Sequence, residues 1–585
     1  MRTYNLYLQK KVLCLATTLL ALTNSAYGAT AMPLNAECGV AAGLVISQNT
    51  LAVTQSYSLC STGTPANLNI SSTNGPWTWQ CVGNNGGQTQ NCSTALSSAP
   101  ACGSANNASL SSAPNAKLCS SGAATLVTGN GPWGWVCGQV FGASPVICSA
   151  QSTAATPAGR SWDFTNSLGI NTHMGSTTTH YGNQTQTVAD IQFLQAINGS
   201  SHIGFNHRRD TVQFYNLVQL LTQSNITSLL APDQAGQLNP ASSQSMFDQY
   251  ASNIEGIEGA NEPDHIITVN GLYASGFEYG AQTGIPAAIT YQQVLYNLLK
   301  SDPLLSNIPV YNFALGFSND ANTTGNMSAY AEISNVHAYP AKGGSPYLSI
   351  LSQSSLVVNM PGKPMVLSET GYPTIPPGGS INFNSPIAPT LINEVTEDVQ
   401  AKYSLSTLFD AFNAGFKKTF LYELYDDGGP DPNSCDNANT SKEYHLGLFR
   451  CDLSPKPLAI ALQNLVNILA DTNANARTFT PQSLAFSLTQ TSSDPNMNAN
   501  AFNTLLQNAA GTYFLVLWAE PVLWNPTTAQ ETSVSTPNTV TVKLNAAKNF
   551  TVYDPMVGMT PINQTSGATQ LSVQVYDHPI IIALN

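Results

Sequence analysis

Two short stretches each place a glutamate where an apolar run stops. In Ile254-Glu-Gly-Ile-Glu-Gly-Ala-Asn-Glu-Pro-Asp264 the run breaks at Pro263, which reads as a buried strand ending at Asn261-Glu262 with a carboxylate on its way out. In Pro364-Met-Val-Leu-Ser-Glu-Thr-Gly-Tyr-Pro373, four apolar or small residues lead to Glu369 before an exit punctuated by Gly and Pro. Two strands that both end on a glutamate aim two carboxyls at one pocket. Cleavage of a glycosidic bond needs such a pair, because one group protonates the leaving oxygen while the other attacks or activates water. One must therefore hold a proton, and the other must stay ionised with donors or a cation nearby.

Other polar residues stand at comparable places. His173 ends a strand-like run, Arg209 sits in His207-Arg208-Arg209-Asp210, and His337 and Tyr339 lie in Asn-Val-His-Ala-Tyr-Pro. The Asn-Glu-Pro at 261–263 and the Ser-Glu-Thr-Gly at 368–371 resemble the strand-four and strand-seven motifs of the clan A retaining glycoside hydrolases. The resemblance implies that Glu262 is the general acid/base and Glu369 the nucleophile. It implies that Arg209 hydrogen-bonds the nucleophile, the alternative being a surface salt bridge to Asp210. His337 and Tyr339 fall where the clan carries groups near the nucleophile, although a His on an apolar run also serves structure; His173 is a similar case. Asn261 suits a donor to the sugar 2-hydroxyl. Strand eight departs from the clan: Phe420-Leu-Tyr-Glu-Leu-Tyr-Asp-Asp427 offers Tyr422 and Glu423 where many members stack the sugar on tryptophan. Glu423 either hydrogen-bonds sugar hydroxyls or is paired away in the barrel wall.

The elements that must position these groups follow from alternation of strand-like and helical patterns after residue 160. Strands are expected at Leu168–His173, His202–Arg208, Thr227–Pro232, Ile254–Ala260, Val310–Leu315, Asn335–Ala338, Met365–Ser368 and Thr419–Leu424, with helices such as Tyr291–Lys300 and Pro457–Leu469. Eight βα units predict an α/β fold, a (β/α)8 TIM barrel over 161–472. Beyond it, runs such as Tyr513–Trp518, Thr539–Leu544, Phe550–Tyr553, Leu571–Tyr576 and Ile580–Leu584 predict a C-terminal β-sandwich over 473–585. Its first strands are alternatively drawn from before the barrel, between Ser152 and Asp163.

The N-terminal part reads differently. Arg2, Lys10 and Lys11 precede the apolar run Val12–Leu22 and small residues, the pattern of a secretory signal peptide over 1–28. Without Cys14, ten cysteines remain, an even number suited to an oxidising compartment. Eight fall into matching sets, Cys38, Cys60, Cys81, Cys92 and Cys102, Cys119, Cys137, Cys148, around Asn-Gly-Pro-Trp-x-Trp. They predict two small disulfide-rich β repeats, 38–94 and 102–150, each open to three connectivities. Trp77/Trp79 and Trp133/Trp135 either contact glycan or form the mini-core of each repeat. Residues 151–160 read as a linker, and Cys435 with Cys451 as a further disulfide flanking the loop after strand eight.

Composition narrows the partners. Over 585 residues only 9 % are charged and the net charge is −13, which disfavours nucleic acid and anionic membrane. No membrane span is expected, and scattered histidines give neither metal nor cofactor site. The sequence thus points to a secreted glycosidase acting on a poly- or oligosaccharide, with a non-catalytic extracellular carbohydrate-binding or adhesion protein as the alternative.

Overall fold

The structure is a computed structural model that describes 36–38, 45–46, 60–62, 64–69, 77–83, 87–96 and 100–585, apart from 139–144, 175–179, 213–226, 233–243, 245–246, 265, 270–271, 276, 317–323, 355–359, 361, 376–393, 427–444 and 527. The proposed signal peptide and Cys435 lie outside the described residues. Contacts divide the chain into two units, Met1–Ser98 and Ala99–Asn585.

An eight-stranded sheet organises the second unit. Its strands are β1 (Leu168–Thr172), β2 (His207–Val212), β3 (Thr227–Pro232), β4 (Ile254–Glu258), β5 (Val310–Tyr311), β6 (Ser334–His337), β7 (Met365–Thr370) and β8 (Phe416–Leu421). All pairings are parallel, and β1 lies between β2 and β8. The remaining edges, β5 and β6, meet through a parallel bridge from Tyr311 to Ile333 and the bond from Asn312 N–H to Ile333 C=O, 2.9 Å. Because every strand runs the same way, the carboxyl ends that carry the candidate residues share one rim.

Helices cover the sheet: α1 (Gln184–Phe193), α2 (Gly284–Ser301), α3 (Pro346–Ser354), α4 (Glu397–Asn413) and α5 (Pro457–Leu469). The sequence dictates their ends. Thr396 caps α4 by accepting from Val399 N–H, with Glu397 and Asp398 in the first turn facing the positive end of the helix dipole. Pro457 opens α5 at a position whose N–H has no helical partner anyway, and Leu458, Leu462, Leu465 and Leu469 give it one apolar face, all buried.

Strand boundaries differ from expectation chiefly at β2. His202 and Ile203 belong to a hairpin, Ala196–Asn198 against Ser201–Ile203, and the strand starts at His207, so Arg209 lies inside it. Gly199, at φ +61, turns that hairpin, a role a local apolar run does not announce.

After α5 come β9 (Phe486–Gln490), β10 (Asn503–Gln507), β11 (Tyr513–Leu517), β12 (Asn538–Tyr553), β13 (Asn563–Val575) and β14 (Ile580–Leu584). The two stretches expected as separate strands at 539–544 and 550–553 are one strand, β12. Register shifts between Lys543, Lys548 and Phe550 bend it, so its first part pairs with β9 and its last part with β14. In β11, Phe514 and Val516 join the core shared with the parallel sheet, whereas Leu515 and Leu517 join a second core with Val540, Val552 and Ile582. Residues before the parallel sheet contribute too, from within the stretch Ser152–Asp163 offered as the alternative: Gly159–Arg160 runs parallel to β10, and Thr156–Pro157 pairs with Ser483–Leu484.

Both cysteine sets are joined first to fourth and second to third: Cys38–Cys92 and Cys60–Cys81, then Cys102–Cys148 and Cys119–Cys137. Trp79 sits opposite Cys92, and Trp135 opposite Cys148. Trp79, Trp133 and Trp135 are buried, and Trp135 donates its indole N–H to Leu118 C=O at 2.9 Å. These three rings form mini-cores and offer no free face for stacking a sugar. The second set is also built into the larger unit. Val136 and Ile147 lie in the core shared with the parallel sheet, Thr128 hydrogen-bonds Tyr347 of α3, and a Cβ on Gly134 would stand 2.9 Å from Ala501 Cα.

Among the described residues, no helix is long and apolar enough to cross a membrane.

Candidate active site

Arg209 is the hub. A side chain on β2 reaches β1, β4 and β7 only across the interior of the sheet. Its Nε and Nη2 donate to the two oxygens of Glu258 at 2.7 and 3.0 Å, a forked pair, while Nη1 donates to Glu369 Oε1 at 2.6 Å and to Asn171 Oδ1 at 3.0 Å. Nη2 also donates to Asn261 Oδ1 at 2.8 Å. The guanidinium is 0 % exposed. Burial works against its charge, but Glu258 and Glu369 raise its pKa above the ordinary value. The salt bridge to Asp210 is made by the neighbour instead, Arg208 Nε to Asp210 Oδ2, 3.2 Å.

Glu369, near the end of β7, has its second oxygen held by Tyr339 O–H at 2.8 Å. Glu262 lies just beyond β4, anchored by its own N–H to Ala314 C=O at 3.0 Å. Its φ of +41° is in the left-handed region, where a residue with a Cβ sits only if its surroundings hold it. Gly316 leaves room for it, since a Cβ there would lie 3.2 Å from the Glu262 carboxyl carbon.

His337 stands between the two glutamates. Its Nδ1 is 2.8 Å from Glu262 Oε1 and 3.5 Å from Glu369 Oε2. Burial alone would depress this imidazole's pKa, but the charge of Glu369 and the hydrogen bond and charge of Glu262 raise it. A carboxylate oxygen from each glutamate and a ring nitrogen of His337 all fall within 4.8 Å of one another, a donor set of metal-ligand type. Arg209 already donates to Glu369, so a dication there would face a guanidinium. The set suits carboxyls and an imidazole that share protons.

His173, Tyr422 and Glu423 form a second cluster along the rim. His173 Nε2 is 2.9 Å from Tyr422 Oη and 3.1 Å from Glu423 Oε2, and Tyr181 O–H donates to that same carboxylate oxygen at 2.9 Å. Glu423, expected either to hydrogen-bond sugar hydroxyls or to be paired away, is 1 % exposed and paired. Burial would lower the His173 pKa, but Glu423, with smaller contributions from Asp210 and Glu369, raises it to about 9. Tyr339 and Tyr422 join the two clusters, ring centroids 6.4 Å apart.

Every residue anticipated as functional thus lies in one of two touching networks. Glu258, Asn171 and Tyr181 were not anticipated. Glu258 had a signal, a charge inside the apolar run Ile254–Ala260 that must find a buried cation. Asn171 and Tyr181 had none.

No family profile and no curated protein matches the sequence. Among solved structures the chain is similar to a family 39 glycoside hydrolase from Bacteroides cellulosilyticus, at 11 % identity and TM-score 0.41, covering 94 % of this chain and 100 % of that one. It is also similar to SrfJ from Salmonella typhimurium, at 11 % identity and TM-score 0.40, covering 74 % and 90 %. A third is a family 17 β-1,3-glucanosyltransferase from Rhizomucor miehei, at 16 % identity and TM-score 0.35, covering 50 % and 97 %. Likenesses this distant carry neither a substrate nor a mechanism to this chain.

Proposed function

We propose that the chain is an exported retaining glycoside hydrolase built on a (β/α)8 barrel, cleaving β-glycosidic bonds of a poly- or oligosaccharide by double displacement. The observation that carries this reading is the approach of Glu262 and Glu369 to within 4.8 Å, oxygen to oxygen, at the carboxyl rim of the parallel sheet. Retaining enzymes hold their two carboxyls about 5–5.5 Å apart, whereas inverting ones leave about 6.5–9.5 Å for a water. Glu369, its oxygens held by Arg209 and Tyr339, attacks the anomeric carbon. Glu262 gives its proton to the departing oxygen. A water then enters, Glu262 takes its proton, and the hydroxide oxygen displaces Glu369 from the sugar, returning both groups to their first state. His337, bonded to Glu262, orients that carboxyl and shares its proton. Asn261, whose Oδ1 accepts from Arg209, keeps its amide N–H groups to donate to the sugar 2-hydroxyl. The disulfides fit an exported protein.

The test is hydrolysis of a panel of β-linked glycans by the wild type and by Glu262→Gln and Glu369→Gln. Each variant should lose about 10²-fold or more in kcat, with retained configuration at the released anomeric carbon for the wild type. Full activity in both variants rejects the reading. Glycan binding without turnover in the wild type would mark a non-catalytic carbohydrate-binding protein.

A further inference from the structure

Tyr422 and Glu423 follow β8, and the mechanism above uses neither. Glu423 is enclosed at 1 % exposure, and a carboxylate so far from water needs a cation or a proton of its own. Its contacts are Tyr181 O–H at 2.9 Å and His173 Nε2 at 3.1 Å, so His173 is the cation available to it. The groups that face His173 are Glu423 and Tyr422 beyond β8, Asp210 on β2, Glu369 on β7 and Tyr181 after β1. Three of them are acids and none is a base. The His173 ring uses Nε2 for both Tyr422 and Glu423, and 27 % of its side chain stays open. When both nitrogens are protonated, Nδ1–H is a charged donor with no partner among the described residues.

We propose that Glu423 is a positioning residue that holds His173 as an imidazolium, so that Nδ1–H is presented to a sugar oxygen beside Glu369. Discrimination then falls on the position of a hydroxyl, which a donor reads and a stacking surface does not. This rests on the glycosidase reading for its sugar but not for its charge.

The experiment has a part that needs no glycan. In the full chain with 13C-labelled histidine rings, the His173 signal, assigned with His173→Gln, should titrate near pH 9. In Glu423→Gln its midpoint should fall by about two units or more, and Glu423→Asp should recover part of the shift. An unmoved midpoint overturns the proposal. On a glycan the wild type hydrolyses, Glu423→Gln should raise KM about tenfold at pH values above the new midpoint, with kcat little changed and near-normal KM below it. A loss equal at every pH means a purely structural role and overturns it as well. If nothing is hydrolysed, Kd for oligosaccharides replaces KM. Failure to bind any glycan removes the sugar contact, while the titration still decides the charge.

Discussion

A buried charge is tolerated only with its partners in place, and Arg209 is the point on which that condition turns. It neutralises Glu258 within the sheet and Glu369 at the rim with a single planar group. Arg209→Met would leave two enclosed carboxylates without their guanidinium, with His337, among the described residues, the one imidazole set against both, a loss of about 3–5 kcal/mol, visible as a marked fall in Tm along with loss of activity. Arg209→Lys would restore charge but not the fork, since an ammonium cannot match both Glu258 oxygens while reaching Glu369. An unchanged Tm in Arg209→Met would contradict this account. At this scale the sequence was legible where a residue belonged to a motif: Glu262, Glu369 and Arg209 all do. It was silent on Asn171 and Tyr181, whose roles come only from what the fold brings opposite them. It also left Glu423 undecided between sugar and wall, because pairing with His173 spans 250 positions along the chain and leaves no local trace.

Elements set the distances between these groups, and close backbone approach is one way they do so. Gly371 follows β7, and a Cβ there would stand 2.4 Å from the Tyr422 carbonyl oxygen, closer than any side chain is tolerated. Gly371→Ala should therefore push the end of β7 away from the segment after β8, costing about 1–3 kcal/mol and lowering kcat more than the lost stability alone explains. Thermal melts and kinetics on one preparation check this, and a variant with normal kcat and Tm would refute it. Runs with a clear period were readable at this scale: α5 falls on the expected Pro457–Leu469, and β3 on the expected Thr227–Pro232. Pieces too short to show a period were legible only as an alternative, with no bounds of their own. The two-residue strands Thr156–Pro157 and Gly159–Arg160 lie in the stretch read as a linker, and tertiary pairing alone makes them strands.

Across the whole of the larger unit, α4 meets the C-terminal sheet at a buried pair of acids, Asp410 and Glu520. Glu520 accepts from Tyr347 N–H at 3.0 Å, from Trp518 Nε1–H at 3.2 Å and from Ser345 O–H. Burial first, and then the neighbouring Glu520, push the Asp410 carboxyl well above its ordinary 3.8. A carboxyl raised in the folded state binds its proton more tightly there than when unfolded. Its contribution is thus fully present below pH 3.8 and declines as pH rises from there through the folded-state value. Asp410→Asn should match the wild type near pH 4 and become progressively more stable than it toward pH 8, by about 1 kcal/mol or more. Denaturant melts across that range measure it, and parallel pH profiles would show the pair to be inert. Such a seam between separately patterned parts is invisible in sequence, since neither acid stands in a motif.

The second cysteine repeat packs into the fold that carries the rim. Its Val136 and Ile147 belong to the core shared with the parallel sheet, whereas the first repeat falls in a unit of its own ending at Ser98. The second module has thus become masonry, part of the same hydrophobic core as the strands that carry the rim. Any genetic reshuffling that keeps the rim intact has to break the chain ahead of Ala99, not at the Ala/Ser/Thr tract after Cys148, where a cutter guided by sequence texture would place it.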